Sequence, residues 1–116
     1  MTLADKTGAP VTVTKQDREF TISVDGAAAG ETPVGLTAFR ERNGQRIFHH
    51  TEVDEQFGGR GLATILVREA LSATRADGLR IVAVCPMVAA YVKKHHDFDD
   101  IVDRPTREIL HWLQGR

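Results

Sequence analysis

The chain carries a single cysteine, Cys85, in 116 residues. A lone thiol forms no intramolecular disulfide and builds no zinc site from thiolates, and it accords with a reducing compartment. An excess of one charge is missing too: 15 lysines and arginines meet 16 acids, for a formal net charge of -1. Nothing global draws such a chain onto nucleic acid or an anionic membrane, and neither is an expected partner. The stretch Met1 to Lys6 has no apolar h-region, so no secretory signal is expected. The uncharged stretch Ile81 to Val92 is too short to span a bilayer and contains Pro86. A cytoplasmic protein is expected. There is no internal repeat and no low-complexity block. The length suits one domain over 1–116, with a core over about 11–102.

The first half has the alternation of β-strands. Val11 and Val13 alternate with threonines, and Phe20, Ile22 and Val24 alternate with Thr21 and Ser23 before an Asp25-Gly26 turn. Ala27 to Pro33 is small and polar, which predicts a loop. Val34 to Arg40 predicts a strand, Asn43-Gly44 a hairpin turn, and Arg46 to Val53 the return strand. In that strand Ile47, His49, Thr51 and Val53 are expected on one face and Phe48, His50 and Glu52 on the other.

The period then changes. Leu62 to Ala76 has apolar residues at 62, 66, 70 and 73, flanked by 63, 67 and 71, with Thr64, Arg68, Ser72 and Arg75 opposite. This is an amphipathic helix, ended by Asp77-Gly78. The apolar run Ile81 to Cys85 suits a strand buried on both faces. Pro86 opens a second helix, to about His95. Asp97 to Val102 suits a helical turn, and Pro105 opens a last helix with Ile109, Leu110, Trp112 and Leu113 on its apolar side. Trp112 and Leu113 would cap the core or form a dimer contact. The expected class is α+β: an antiparallel meander feeding a right-handed β-α-β unit, with flanking helices.

The richest local signal is Gly58-Gly59-Arg60-Gly61, between a strand and a helix start. Unpaired backbone N–H groups at a helix N-terminus, with the helix dipole, attract anions. Glycines permit the dihedrals that wrap such a loop around a phosphate. No Gly-Lys pair exists, which excludes the Walker A pattern. The third glycine of a dinucleotide fingerprint is replaced by Thr64. A tight β-to-α turn without a ligand is the alternative reading of the loop.

With the residues around it, this loop resembles motif A of the GNAT superfamily of N-acetyltransferases, R/Q-x-x-G-x-G/A. Gly61 and Ala63 match its small residues, and Gly58 stands where the family has Arg or Gln. A second register would place Gln56, Gly59 and Gly61 on the motif. Downstream, Cys85-Pro86-Met87-Val88-Ala89-Ala90-Tyr91, followed by His95 and Phe98, is similar to the C-P-x-x-A-x-Y signature of a minimal single-domain GNAT-like family. His50-Thr51-Glu52-Val53 also resembles that family, and the likeness covers about residues 34 to 98. It implies a compact GNAT-like fold with splayed strands and an acetyl-CoA site. Pantetheine would lie between the strands ending at Val53 and Cys85. Pyrophosphate would meet the amides of Gly59 to Ala63. The implied cofactor-binding residues are Val53, Gly58, Gly59, Arg60, Gly61, Leu62, Ala63 and Thr64.

The implied activity is transfer of acetyl from acetyl-CoA to an amine: a protein lysine, an N-terminus or a small amine. Cys85, expected at a helix N-terminus, would line the thioester site or take the acetyl group transiently; otherwise it packs as a small apolar side chain. Tyr91 matches the tyrosine that protonates the leaving thiolate in many GNAT enzymes, or else fills the groove between helix and sheet. His50 and Glu52 share a strand face and would relay the proton of the amine. Lys93 and Lys94 form a solvated helix face or meet the CoA phosphates. No metal is expected, because the adjacent histidines of a strand point apart and no His-Glu-x-x-His spacing occurs. Two other functions stay open: a non-catalytic acyl-CoA-binding or interaction module, and an α+β domain with no ligand.

Overall fold

A computed structural model describes residues 3–24, 33–59 and 61–115. The expected Asp25-Gly26 turn, the 27–32 part of the expected loop and Arg60 lie outside the described residues. Among the described residues seven strands form one sheet in sequence order: β1 (Leu3–Ala4), β2 (Pro10–Lys15), β3 (Glu19–Val24), β4 (Gly35–Arg42), β5 (Gln45–Val53), β6 (Arg80–Ala83) and β7 (Val102–Asp103). The first five are antiparallel. Helix α1 (Leu62–Ala76) then carries the chain across to β6, which pairs parallel to β5, and β7 pairs parallel to β6. Helices α2 (Pro86–Lys94) and α3 (Arg107–Gly115) complete the chain. This is the expected mixed α+β architecture. No described helix is long and apolar enough to cross a membrane.

Helix α1 starts and stops where its period predicts. Its stripe of Leu62, Ile65, Leu66, Val67, Ala70 and Leu71 is buried against the sheet. Phe20, Phe39 and Phe48 meet it, with ring centroids 5.3 to 6.4 Å apart. The opposite face of the sheet has a smaller cluster, Ile47 and Val82 under Ile109 of α3. Trp112 packs on that cluster, with the guanidinium carbons of Arg40 and Arg42 at 4.6 and 5.1 Å from its ring centre. Central strands covered on both faces read as continuous apolar runs.

Two expectations are corrected. The run Ile81 to Cys85 is not all strand: the ladder ends at Phe48 opposite Ala83, and Cys85 is the N-cap of α2. The face assignment in β5 changes as well. Phe39 pairs with Phe48 and Ala38 with His50, so His49 is the extra residue of a β-bulge. The inserted residue shifts the alternation by one. Phe48 therefore shares its face with Thr51 and Val53, while His50 and Glu52 remain together on the other. Elements with no local signature also appear: β1, β7 and a 3-10 turn at Glu55–Phe57. The expected helical turn at Asp97 to Val102 is reduced to Asp99–Ile101 before β7 begins.

Candidate functional site

The parallel pairing of β5 and β6 stops at its C-terminal end. There the amides of Val84 and Cys85 both donate to the Phe48 carbonyl, at 3.0 and 2.9 Å. Beyond it, β5 continues through residues 49–53 beside β4 while the segment after β6 turns into α2. The two strands thus splay, and the 49–53 edge that faced β6 leaves the ladder. An open strand edge presents unpaired backbone N–H and C=O groups, so an edge of this kind is suited to an amide-rich ligand.

At the mouth of the splay, β5 runs into the glycine loop. Asp54 caps the 3-10 turn, its Oδ1 accepting from the Gln56 amide at 2.9 Å. Gly59 and Gly61 follow with φ of +79° and +76°, the left-handed region that side chains rarely adopt. Gly61 is the N-cap of α1 and supplies no side-chain cap. The amide of Ile65 already reaches back to the Gly61 carbonyl at 3.1 Å. The amides of 62–64 are the helix's unpaired first-turn donors. No acid occupies that first turn. A cavity of about 380 Å³ opens here, with Val53, Gly58 and Gly59 on one side and the run 61–64 on the other. Every described residue among those expected to bind the cofactor lines it. Gly58, with φ of -64°, has an ordinary backbone conformation.

Ala63 and Thr64 also line a second cavity, of about 220 Å³, between α1 and α2. Its α2 wall includes Met87, Tyr91 and Lys94. The Tyr91 ring stacks on His95 with centroids 4.4 Å apart, and burial raises the phenol pKa above its ordinary value. Val53 and Asp54 likewise line a third cavity, of about 490 Å³, whose other walls carry Glu19, Leu36 and Glu52. Gly35 makes the close approach there possible, because a Cβ on it would sit 3.0 Å from both Ile22 and Val53 side chains.

The four expected catalytic side chains fall into two pairs. Cys85 is buried at the apex of the splay. Its Sγ donates to Thr51 Oγ1 at 3.2 Å, and Thr51 in turn bonds Thr37 at 2.8 Å. Tyr91 stands within α2, less than two turns beyond its Cys85 N-cap. His50 and Glu52 lie on the opposite face of β5, exposed and bonded to each other at 2.7 Å. Neighbouring His49, half-buried in the bulge, has its pKa lowered by burial, then by the Arg40 charge and by His50. His96 bonds Asp99 at 2.9 Å.

Sequence reasoning passed over two features. Thr51 holds the thiol and is itself bonded to Thr37, but only the bulge brings Thr51 to that face, and a bulge has no local signature. Lys6 lies across Gly61, its Cε and Cγ 3.2 and 3.3 Å from where a Cβ of that glycine would be. That approach joins residues far apart in the chain.

No curated protein matches the chain. Among solved structures, the fold is similar to the NMR solution structure of a GCN5-like protein from Staphylococcus aureus, whose own assignment as an N-acetyltransferase is provisional. The TM-score is 0.62 at 20% identity, over 86% of this chain and 95% of that one. The family described as GCN5-related N-acetyl-transferase matches residues 19–101, which takes in strands β3 to β6, the glycine loop, α1 and α2. The chain belongs to the GCN5-related N-acetyltransferase family.

Proposed function

We propose that this protein is an acetyl-CoA-dependent N-acetyltransferase acting by direct transfer to an amine. The observation that carries this reading is the junction of the splayed β5 edge with the capless, glycine-wrapped start of α1. The residues present fit an acyl-CoA. Gly59 and Gly61 leave the loop concave, nothing among the described residues beyond its chain neighbours stands within 4 Å of a Cβ built on Gly59, and the first-turn amides of α1 suit a pyrophosphate. The 49–53 edge suits the amides of the pantetheine arm. The groove between α1 and α2 continues past Thr64 to Lys94.

Acetyl-CoA supplies an acetyl group activated as a thioester. The chain must then take a proton from the attacking amine and provide one for the leaving sulfur, since a lysine amine has a pKa of about 10.4. Glu52 is an acceptor when ionised, so it takes the Nε2–H of His50 and orients the ring. Nδ1 is left to receive the proton of the amine. A phenol, with an ordinary pKa of about 10, is protonated at neutral pH, and burial raises that of Tyr91 further, so Tyr91 holds a proton for the thiolate. Cys85 lines the site in this scheme: its thiol is already engaged as a donor to Thr51. A second reading, a non-catalytic acyl-CoA-binding module, is favoured by one observation. His50 and Glu52 are exposed and stand on the other face of β5 from Cys85.

Calorimetric titration of the purified protein with acetyl-CoA, followed by turnover with a panel of amines, tests both. Micromolar binding with turnover is expected. Binding without turnover on any amine leaves the second reading, and no binding by folded, ligand-free protein removes both. The direct route has its own check in intact-mass analysis after acetyl-CoA treatment. No acetyl adduct is expected, and Cys85→Ala should keep turnover within about tenfold, the span of one lost hydrogen bond. An adduct that Cys85→Ala abolishes would replace direct transfer by a two-step route through the thiol.

A further inference from the structure

The turn between β1 and β2 is built to hold one side chain in place. Asp5 is buried. Its Oδ1 accepts from the Thr7 amide at 2.8 Å, the Thr7 hydroxyl at 2.6 Å and the Ala9 amide at 3.0 Å. The backbone closes around it, Asp5 N to Ala9 O at 2.9 Å and Gly8 N to Asp5 O at 3.0 Å. Next in the chain is Lys6, whose methylene stem lies across Gly61, the N-cap of α1. Among the described residues Lys6 forms no ion pair.

This placement is electrostatically unfavourable in the ligand-free chain. A helix N-terminus carries partial positive charge and favours anions, so an ammonium held beside it is repelled. The first turn of α1 contains no acid to offset the repulsion. Of the two acids that line the loop cavity near its mouth, Asp54 is engaged by the Gln56 amide and Glu55 belongs to the 3-10 turn before the glycines. A doubly charged anion between the ammonium and the first-turn amides turns the repulsion into two attractions.

We propose that Lys6, delivered by the N-terminal hairpin, is the cation that binds the pyrophosphate of the acyl-CoA over Gly61. The inference rests on the acyl-CoA reading above. It adds to the site a residue outside the glycine loop, from the part of the chain that precedes the family match.

The test is calorimetric titration of wild type, Lys6→Met and Lys6→Arg with acetyl-CoA and with dephospho-CoA. Methionine keeps the apolar stem over Gly61 and removes the charge. Lys6→Met should weaken both ligands by about tenfold, as expected for one charge-assisted contact. Lys6→Arg should bind within about threefold of wild type. The ligand-free melting temperature of Lys6→Met should not fall, because Lys6 is exposed and its charge is repelled there until the anion binds. Unchanged affinity in Lys6→Met, with wild type binding normally, overturns the Lys6 assignment alone. A loss confined to acetyl-CoA overturns it in favour of the 3′-phosphate. A lowered ligand-free melting temperature makes Lys6 a structural residue and overturns it too. Failure of wild type to bind removes the acyl-CoA reading itself.

Discussion

Gly61→Val lowers acetyl-CoA affinity by about a hundredfold, whereas Gly61→Ala lowers it by about tenfold. Gly61 sits at φ +76°, where any side chain is strained by about 1–2 kcal/mol and a β-branched one by more. An added Cβ meets the Lys6 stem at 3.2 Å. That stem is flexible and swings aside, so the clash itself is cheap. The costly part is the backbone. The loop relaxes toward negative φ, and the amides at the start of α1 no longer converge on one point. Each 1.4 kcal/mol is a factor of ten in binding, which makes the alanine and valine variants successive steps of one mechanism. Calorimetric titration measures both, with far-ultraviolet circular dichroism to show that the sheet persists. Equal binding by wild type and Gly61→Val would remove the loop from the site.

The parts of this fold legible in the sequence are those whose signal is local. The 3.6-residue stripe of α1 ends where Asp77 and Gly78 stop it, and Asn43 and Gly44 take the positive φ values of a tight hairpin, 52° and 78°. Pro86 opens α2 as expected. What escaped is specified by pairing. The two-residue strands β1 and β7 exist only against their neighbours. The His49 bulge is a mismatch between β4 and β5 that neither strand announces. The run Ile81 to Cys85 looks uniform because all of it is apolar, yet its last two residues leave the ladder where the strands diverge. The candidate site divides in the same way. The glycine loop shows itself through the dihedrals that glycine alone adopts freely. The contacts of Cys85 with Thr51, and of Lys6 with Gly61, join distant segments and need the fold to appear.

The splay and the bulge belong together. The Phe48 carbonyl, one residue before the bulge, accepts from both Val84 and Cys85, so the ladder ends on one shared acceptor. Past that point the extra residue sends Thr51 toward the thiol and His50 with Glu52 to the outer face. A donor entering over α1 and an amine approaching from the outer face would meet through the gap between the strands. That arrangement gives the two expected catalytic pairs separate sides of one opening.

Arg46→Ala destabilises the protein by about 3 kcal/mol, and Arg46→Met by about half of that. Arg46 stands at the start of β5 and is only 2% exposed, among the largest fully buried side chains of the fold. A charged residue after a hairpin turn gives no sign of such burial. Its Nη2 bonds Glu41 at 2.7 Å and Asp77 at 2.9 Å, and its Nη1 bonds Thr74 at 3.2 Å. The guanidinium carbon lies 4.8 Å from the Phe39 ring centre and 5.5 Å from that of Phe20. Breaking a buried ion pair costs about 3–5 kcal/mol when the orphaned charge stays buried. Here it does not: the side chains of Glu41 and Asp77 are 44% and 45% exposed, so water replaces the guanidinium. Thr74 keeps its own bond to the Ala70 carbonyl at 2.8 Å. The larger loss is therefore packing, the void left beside Phe20 and Phe39, and methionine refills much of it. For a domain of this size the alanine variant should melt roughly 12–24 °C lower, at about 4–8 °C per kcal/mol. Thermal unfolding of the two variants decides between packing and charge. If methionine loses as much as alanine, the ion pairs with Glu41 and Asp77 dominate, and the packing account of this residue fails.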